Sequence, residues 1–496
     1  MRQALLLGGN PAPALDDATT AGEARLSREV PLVVDLDGTL IRTDSLVESL
    51  FVLVKQQPLL LLALPFWLLH GKAALKHRIA VSALPDVRTL PYHAELLEHL
   101  SREKDQGRRA VLATAADERI ARAVARELGV FDAVFASDGT TNLSGEAKRA
   151  RLVAAFGERG YDYAGAGPRD VPAWRSARRA ILVSPSPALA ARVAEVATVE
   201  RVLGDGPAGI ATYLRELRWH HWLKNLLVFV PLLAAHRLAD PQALIETLLA
   251  FAGLCLTASC IYLLDDLVDL PRDRRHPGKK DRPIASGRIP ATQALLLLPA
   301  LLLAAAGIAL ALSFRYTAVL GAYFVLMLAY VLRLRDLRIA DAVTLGCGYT
   351  LRVLAGSAAT GIAVSPWLIA CCLPLFFGLA LLKRNSELAL VGVLPGAEDH
   401  THAYREGDGR IVEALGRTAG IASMAVLAAY PLVDPGAGTA SWPIWCICVL
   451  LVYWMERMWR LSGQGRIHDD PVLFALRDHV SEVVGVGVVV LLLATQ

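Results

Sequence analysis

The chain has few cysteines and no long basic run, and both absences narrow its function. None of its seven cysteines has CxxC spacing, so we expect neither a disulfide framework nor a zinc site. The net charge is only +4 over 496 residues, and no basic tract of the kind that binds nucleic acid is present. The first thirty residues lack a basic start followed by a long apolar core, so we predict no signal peptide and a cytoplasmic N-terminal part.

Apolar residues are abundant but unevenly distributed. They make up 54% of the chain, and the length favours two or more domains. Residues 1–215 are mostly of soluble character, whereas the remainder is one apolar segment after another. We therefore predict a flexible tail at 1–29, a soluble domain at 30–203, a Gly/Pro-rich linker at 204–214 and a membrane domain at 215–496.

A short apolar run that ends in two carboxylates opens the soluble part. The stretch PLVVDLDGTLI indicates a buried strand ending at Asp35 and Asp37, where ligands bind in open α/β sheets. A second strand ending at Thr114, a GEAK turn with Lys148 and a GAGPRD segment ending at Asp170 follow in order. This series resembles the haloacid dehalogenase (HAD) superfamily, whose first motif is DxDGT.

The resemblance implies an α/β Rossmann-like domain with phosphatase chemistry. Asp35 would attack phosphorus to form an aspartyl-phosphate. Asp37 would protonate the leaving oxygen and then activate water. Thr114 and Lys148 would hold the phosphoryl oxygens and balance their charge.

One position departs from the pattern of the superfamily. The usual acidic pair of GDxxxD is reduced here to Asp170, because Ala166 occupies the first position. Asp35 and Asp170 would then hold Mg²⁺ with one carboxylate fewer, and water would fill the vacancy. Two alternatives stay open: an active phosphatase, or a degenerate domain with a structural role.

An insertion at about residues 44–100 stands where the superfamily carries a helical cap. Its segment PLLLLALPFWLL, residues 58–69, is too short to span a bilayer, which needs about 20 residues. It is either a buried cap helix or an interfacial segment that docks the cap onto a membrane. In the second case Lys55, Lys72, Lys76 and Arg78 would face headgroups.

Nine apolar helices are predicted in the second half, and charge orients them. They lie at approximately 223–236, 243–264, 291–313, 316–333, 340–360, 366–382, 412–431, 441–460 and 478–495. Basic residues concentrate in the connections after helices two, four, six and eight, and the other side has little beyond Arg237 and Arg315. The positive-inside rule then predicts a multi-pass protein of the cytoplasmic membrane, with its N-terminus inside and its C-terminus outside.

The connection after the second helix holds the densest charge of the chain. Asp266, Asp269 and Asp273 are spaced i, i+3 and i+7, so one continuous helix would align them on one face, where a divalent cation would offset their repulsion. A solvated loop at a helix end accounts for the basic residues but not for aligned carboxylates. We therefore predict a Mg²⁺–diphosphate site. The basic residues are Arg272, Arg274, Arg275, Lys279, Lys280 and Arg282.

Further polar residues interrupt the later apolar segments. One of them, Arg352, lies over ten residues into its segment, and a charge at membrane depth is a functional position by default. These predicted site residues are Tyr330, Arg335, Asp341, Arg352, Lys383 and Arg384.

Residues 210–496 resemble the UbiA prenyltransferase superfamily, an all-α membrane architecture. Its motif NDxxDxxxD appears as DDLVDLPRD, with Asp265 where Asn is usual. The segments WLKN around Lys224, HPGKKDRP, and KRxxE from Lys383 to Glu387 look most like the decaprenyl-phosphate phosphoribosyltransferase branch.

This branch implies phosphoribosyl transfer from 5-phosphoribosyl 1-diphosphate (PRPP) to a polyprenyl phosphate. Mg²⁺ on Asp266, Asp269 and Asp273 would hold the diphosphate. Asp341 would bind a second metal or position the ribose. The HAD-like domain would then remove the 5-phosphate. The candidates for phosphate oxygens are Lys224, Lys279, Lys280, Arg282 and Arg335.

Two other functions remain open at this stage. The carboxylates would equally hold a prenyl diphosphate in a prenyltransferase that acts on an aromatic acceptor. Alternatively, the HAD-like domain is a degenerate docking module on a transferase. The sequence also leaves the oligomeric state open, a homo-oligomer included.

Overall fold

The structure, a computed structural model, describes residues 30–204, 206–276, 278–391, 404, 406–433, 442–467 and 471–494. The chain divides into two compact units. The N-terminal unit comprises Met1–Gly209 with Ala285–Thr292, and the membrane unit comprises Ile210–Ile284 with Gln293–Gln496. The predicted tail at 1–29 lies outside the described residues.

The N-terminal unit is built on a six-stranded parallel sheet, as predicted for an α/β domain. The strand order is β3-β2-β1-β4-β5-β6, and all neighbouring pairs are parallel. The strands are β1 Leu32–Val34, β2 Ala110–Asp117, β3 Ala133–Ser137, β4 Asp162–Gly165, β5 Arg179–Val183 and β6 Thr198–Leu203.

Alternation along β1 creates two hydrophobic cores. Leu32 and Val34 pack into the core on one face of the sheet, and Val33 packs into the core on the other, because successive side chains of a strand point to opposite faces. Helices cover both faces. They are α1 Ser45–Gln56, α2 Leu64–Leu69, α3 Lys72–Ser82, α4 Ala94–Asp105, α5 Glu118–Leu128, α6 Glu146–Phe156, α7 Val171–Arg175 and α8 Pro187–Ala194, with 3₁₀-helices at Pro58–Ala63, Val87–Thr89 and Pro168–Asp170.

The insertion between β1 and β2 contains an apolar segment that is not a buried cap helix. Pro58 starts the 3₁₀-helix Pro58–Ala63, and Pro65 lies in the first turn of α2. The fixed φ of proline suits a first helical turn. Among the described side chains of Pro58–Leu69, only Trp67 is buried. The apolar residues of this segment are therefore largely exposed.

The membrane unit is helical throughout its described part. Five of its helices are long and apolar enough to cross a membrane: Pro241–Val268, Ala291–Leu312, Phe314–Leu332, Pro366–Ala389 and Gly409–Val433. The α-helices are α9 Ile210–Glu216, α10 Val230–Ala234, α11 Pro241–Val268, α12 Leu270–Arg275, α13 Ala291–Leu312, α14 Phe314–Leu332, α15 Arg338–Thr360, α16 Pro366–Val391, α17 Gly409–Val433, α18 Trp442–Gly463, α19 Pro471–Ala475 and α20 His479–Leu493, with 3₁₀-helices at Trp219–Phe229, Leu334–Asp336 and Glu406–Asp408.

The first predicted span, 223–236, differs from the structure. It forms a 3₁₀-helix, Trp219–Phe229, followed by the short α10, in which Pro231 occupies the first turn and lacks the amide hydrogen that a continuing helix needs. The other eight predicted segments overlap α-helices, but among the described residues only five helices are long and apolar enough to cross a membrane, so the count of nine spans stays a prediction.

A glycine contact fixes this irregular segment against α15. A Cβ at Gly356 would lie 2.0 Å from the carbonyl oxygen of Val228, so a larger residue would push the 3₁₀-helix away. This close approach brings Lys224 and Asn225, which are both buried, beside the polar residues of the neighbouring helices.

Candidate active sites

A cavity of about 660 Å³ lies at the carboxyl ends of the central strands of the N-terminal unit. Asp35 and Asp37 reach it directly after β1, and Ala166 and Asp170 reach it after β4. Lys148, in the first turn of α6, completes this wall. Parallel strands thus bring together four of the five polar residues that the sequence predicts for this site.

Lys148 bridges the two carboxylates that the sequence assigned to a metal. Its Nζ lies 2.8 Å from Asp35 Oδ1, 2.9 Å from the Tyr163 hydroxyl and 3.2 Å from Asp170 Oδ1. Burial raises the pKa of Asp35 to about 6, although the Lys148 ammonium opposes this shift. Burial alone would lower the pKa of Lys148, but the two carboxylates raise it, so the ammonium stays charged.

Asp37 is suited to carry a proton. Its Oδ1 accepts a hydrogen bond of 2.8 Å from the Ser45 amide. Burial, followed by the charges of Asp44 and Asp35, raises the pKa of Asp37 to about 7. A carboxyl that is partly protonated at neutral pH can donate a proton to a leaving oxygen.

The position of Ala166 contributes backbone rather than a ligand. Asp170 Oδ2 accepts hydrogen bonds from the Ala166 amide (3.3 Å) and the Gly167 amide (3.1 Å). These amides orient Asp170, and Ala166, which also packs against the hydrophobic core, is one of the residues that line the cavity. The side of the site that usually carries a second acidic residue is therefore apolar.

A second cavity, of about 410 Å³, lies in the membrane unit and is strongly cationic. Its described lining contains eight Lys or Arg side chains and two carboxylates, Asp265 and Glu387. Such an excess of positive charge suits a ligand with several phosphate groups. The cations are Arg218, Lys224, Lys279, Arg282, Arg335, Arg352, Lys383 and Arg384.

The carboxylates of the DDLVDLPRD stretch form two separate pairs. Arg282 Nη1 donates to Asp266 (2.8 Å) and Asp273 (2.6 Å). Arg335 donates to Asp265 (2.6 Å) and, through both terminal nitrogens, to Asp269 (2.7 Å each). Each pair thus lies against a guanidinium that lines the cavity.

The predicted alignment of Asp266, Asp269 and Asp273 on one helix face is therefore not observed. Helix α11 ends at Val268 and α12 begins at Leu270, because Pro271 cannot continue the hydrogen bonding of α11. Asp269 lies at the break and turns to Arg335, whereas Asp266 and Asp273 share Arg282.

Arg352 is buried, and each of its three guanidinium nitrogens donates a hydrogen bond to a polar neighbour. Its guanidinium donates to Asn225 Oδ1, the Gly348 carbonyl and the Tyr323 hydroxyl, each at 2.8 Å, and lies 4.8 Å from the Tyr323 ring centre. These contacts offset the cost of a charge at membrane depth and hold the cation at the cavity wall.

Asp341 orients an arginine instead of facing the cavity. Arg384 donates to both of its oxygens at 2.6 Å, and the Tyr330 hydroxyl donates to Oδ1 at 3.0 Å. Asp341 is fully buried and is not among the described lining residues. The structure therefore places Asp341 behind Arg384, and its role with a second metal or the ribose stays a prediction.

Comparison with known proteins identifies both regions. Residues 226–477 match the UbiA prenyltransferase family, and residues 32–175 match the haloacid dehalogenase-like hydrolases. The chain belongs to the UbiA prenyltransferase family. Its N-terminal unit carries a HAD-like domain in front of the UbiA domain, as the sequence motifs predicted.

Relatives at 30% identity or more agree with this assignment. An uncharacterized protein, y4nM of Sinorhizobium fredii, is 34% identical over 463 residues, which cover 92% of this chain and 89% of the relative. Decaprenyl-phosphate phosphoribosyltransferase of Mycolicibacterium smegmatis is 30% identical over 55% of this chain and 89% of its own length. A UbiA homolog from Archaeoglobus fulgidus, bound to DMAPP and Mg²⁺, is 16% identical over 57% of this chain and 98% of its own, with a TM-score of 0.45.

The UbiA domain offers hard oxygen ligands for Mg²⁺ but no preformed cage. Within the described ranges, no three acidic, His or Cys side chains converge as a metal site. However, Glu216 Oε1 is buried without a partner, and burial, followed by the charge of Asp266, raises the pKa of Glu216 to about 8. This local excess of carboxylate fits Mg²⁺, which keeps several waters and takes few protein ligands.

The HAD-like domain fits the same ion less completely. Asp35 and Asp170 are available, but Lys148 already contacts both carboxylates. Mg²⁺ is commonly bound through one or two carboxylates plus phosphate and water. A water-rich site at Asp35 and Asp170 is therefore compatible with the residues present.

Three predicted positions lie elsewhere than expected. Thr114 is fully buried and its hydroxyl accepts from the Ala116 amide at 3.0 Å, so it is absent from the described cavity lining. Lys280 is exposed outside the UbiA cavity. Lys76, expected at headgroups, instead lines the HAD cavity and donates to the Ala115 carbonyl at 2.7 Å and Asn142 Oδ1 at 3.2 Å.

Several site residues were missed from the sequence. Tyr163 follows an aspartate in β4 and reads as core, yet its hydroxyl donates to Asp170 at 2.7 Å. Arg218 donates to Asp266 at 2.5 Å, and Glu216 lies beside the same carboxylate. Their signal was the charge that interrupts RELRWHHW, a stretch whose tryptophans are otherwise typical of a membrane interface.

Proposed function

We propose that the UbiA domain transfers 5-phosphoribose from PRPP to a polyprenyl phosphate. The observation that carries this proposal is the cation-rich lining, with eight Lys or Arg side chains. PRPP brings a diphosphate and a 5-phosphate, and the acceptor brings another phosphate, so three anionic groups meet in one site. A prenyl diphosphate with a neutral aromatic acceptor would need fewer cations. Similarity to relatives named decaprenyl-phosphate phosphoribosyltransferase supports the same substrates.

The chain's own residues would bind and orient these anions. Lys279 and Arg282 would contact the diphosphate, while Arg352, Lys383 and Arg384 would hold the other phosphates. An oxygen of the lipid phosphate attacks the anomeric carbon of the ribose, and the bond to diphosphate breaks. The attacking phosphate is already an anion at neutral pH, so the step needs no strong base.

Mg²⁺ would supply charge stabilisation for the departing diphosphate. Asp266, Asp269 and Asp273 are the residues that would hold it, with Glu216 as a neighbour of Asp266. Positive groups fixed around the leaving group act most strongly where water is excluded.

The HAD-like domain would then remove the 5-phosphate and leave polyprenyl-phosphoryl ribose. Asp35 attacks phosphorus, Asp37 protonates the ribose oxygen, and the resulting aspartyl-phosphate is hydrolysed by water that Asp37 activates. The Lys148 ammonium, 2.8 Å from Asp35, balances the charge of the phosphoryl oxygens.

This order of reactions requires both sites on one face of the membrane. We propose that the protein lies in the cytoplasmic membrane, with both domains facing the cytoplasm and the C-terminus outside. The excess of Lys and Arg in the connection 272–288 supports this orientation.

The decisive experiment supplies purified full-length protein with Mg²⁺, PRPP and a polyprenyl phosphate, and measures the lipid products by mass spectrometry. We expect polyprenyl-phosphoryl ribose from the native chain and its 5-phosphorylated form from Asp35→Asn. If the protein converts a prenyl diphosphate and an aromatic acceptor but does not convert PRPP, the proposed phosphoribosyl transfer is refuted. A product that keeps its 5-phosphate in the native chain would instead favour the docking role for the HAD-like domain, to which Ala166 points.

A further inference from the structure

The cap of the HAD-like domain presents a row of exposed apolar side chains, which we call the cap stripe. Leu59, Leu62, Phe66 and Leu69 are 80%, 82%, 59% and 83% exposed. Their spacing of three, four and three residues places them on one side of consecutive helical turns. Four large apolar groups side by side in water form a patch of the kind that marks an interaction surface.

The segment is held so that the stripe faces outward. Trp67, in the same helix α2, is buried, and it therefore anchors the helix to the rest of the domain. Proline in the first turn of each short helix limits the backbone conformations of the segment. Hence the stripe is a fixed feature of the cap surface.

The charge around the stripe indicates what covers it. No Asp or Glu occurs from Ser49 to Pro85, whereas this stretch contains four Lys or Arg residues. Lys72 and Arg78 are exposed close to the stripe in sequence. An apolar face flanked by cations and free of acids fits the surface of an anionic bilayer.

The same segment also forms part of the HAD cavity. Leu68 of α2 lines that cavity together with Lys72 and Leu75, and Asp35 and Lys148 line the same cavity. The helix that carries the stripe is thus adjacent to the reacting groups. A substrate whose phosphate group is attached to a membrane lipid would reach this cavity at the membrane surface.

We propose that the cap stripe inserts into the headgroup–acyl boundary of the bilayer and so presents the HAD cavity to lipid-linked phosphate esters. The partner is an anionic lipid surface. The UbiA domain continues the same chain, so the HAD-like domain is tethered to a membrane-spanning domain. The choice of a lipid-linked substrate rests on the proposed function, whereas the docking itself does not.

Photocrosslinking of the full-length protein tests the docking directly. A benzophenone amino acid is introduced at Leu62 or Leu69 in protein reconstituted into nanodiscs of phosphatidylglycerol and phosphatidylethanolamine. Matched controls carry it at Arg122 or Glu195, which are exposed outside the cap. We expect at least tenfold more lipid adduct from the stripe positions. Equal yields, or adducts with a second protein chain instead of lipid, would overturn the proposal.

A substitution separates docking from catalysis. Leu69→Glu should reduce hydrolysis of a phosphate ester embedded in vesicles about tenfold, through KM, and leave hydrolysis of p-nitrophenyl phosphate unchanged. Val202→Glu, at an exposed apolar position of β6, should change neither rate. If the HAD-like domain proves inactive, both rates vanish but the lipid adducts persist, so the two proposals fail separately. Equal vesicle rates for native and Leu69→Glu protein would contradict the docking.

Discussion

The cavities of the HAD-like domain and the UbiA domain both suit phosphate, yet they distribute charge in different ways. In the first, one buried ammonium, Lys148, stands between two carboxylates. In the second, the described lining includes eight cations and two carboxylates, and Asp266, Asp269 and Asp273 are paired with the arginines of that lining. The first arrangement suits covalent attack by a carboxylate, and the second suits holding anions while another group attacks.

The difference in charge distribution follows from what each proposed reaction requires of the protein. A carboxylate nucleophile must approach an anionic phosphate, so the local charge must be nearly balanced. A phosphoribosyl transfer has no protein nucleophile, so its site gains from every cation that holds a phosphate oxygen. The predictions below test this division of roles, beginning with the largest expected effect.

Asp266→Ala should lower phosphoribosyl transfer by about two to three orders of magnitude. The change removes a proposed metal ligand and leaves Arg218 and Arg282 without their shared carboxylate. Transfer is measured as PRPP-dependent lipid product. Asp281→Ala, at an exposed site of the same connection, is the control and should keep full activity. An unchanged rate of transfer in Asp266→Ala would show that Asp266 does not hold the metal.

Lys148→Met should lower the rate of dephosphorylation about 100-fold, while phosphoribosyl transfer continues. Without the ammonium, Asp35 and Asp170 are buried together with no cation between them, and Asp35 no longer attacks an anion effectively. The readout is accumulation of the 5-phosphorylated lipid. Lys104→Met, a surface lysine paired with Asp132, should behave like the native protein. Loss of transfer as well would show that the two sites are not independent.

Gly356→Ala should destabilise the UbiA domain by about 1–3 kcal/mol, the usual cost of overpacking. The added Cβ would meet the Val228 carbonyl at 2.0 Å and displace the 3₁₀-helix that carries Asn225 to Arg352. Thermal unfolding in detergent measures the effect. Gly307→Ala has open space around its Cβ and should not lower stability. An equal change in thermal stability in the two variants would mean that the structure accommodates the added Cβ at Gly356 without measurable cost.

Ala166→Asp should lower the Mg²⁺ concentration needed for half-maximal phosphatase activity, by about tenfold. The new carboxylate would face the HAD cavity close to Asp170 and add a hard oxygen ligand. Ala166→Asn, which has similar size without the charge, should show a smaller shift. No shift in either variant would indicate that Mg²⁺ binds away from this position.

Local patterns predicted the fold and the centres of both sites. The run LVVDLD led to β1 with Asp35 and Asp37 at its end, because a buried strand and a polar turn are visible in neighbouring residues. The acidic and basic residues after α11 were equally evident. Pro271 was also visible, and its effect on the helix would have predicted the separation of Asp269 from Asp266 and Asp273.

Contacts between distant residues were beyond such patterns. Lys76 turns into the HAD cavity toward Asn142, 66 positions away in the chain. Arg384 engages Asp341 across 43 positions. In each case the sequence gives the charge, but the partner depends on how helices and strands pack. The positions of Thr114 and Asp341 outside the described cavity linings could not be predicted for the same reason.

The bridging arginines have a thermodynamic consequence for the order in which ligands act. Arg282 and Arg335 already engage four carboxylates, so a metal ion that arrives alone must compete with them. A diphosphate that arrives alone finds guanidinium groups that are already engaged. If both arrive, the anion would attract the arginines and the cation would receive the freed carboxylates. Each ligand would then raise the affinity of the other by the same factor, and the site would discriminate against either one in isolation.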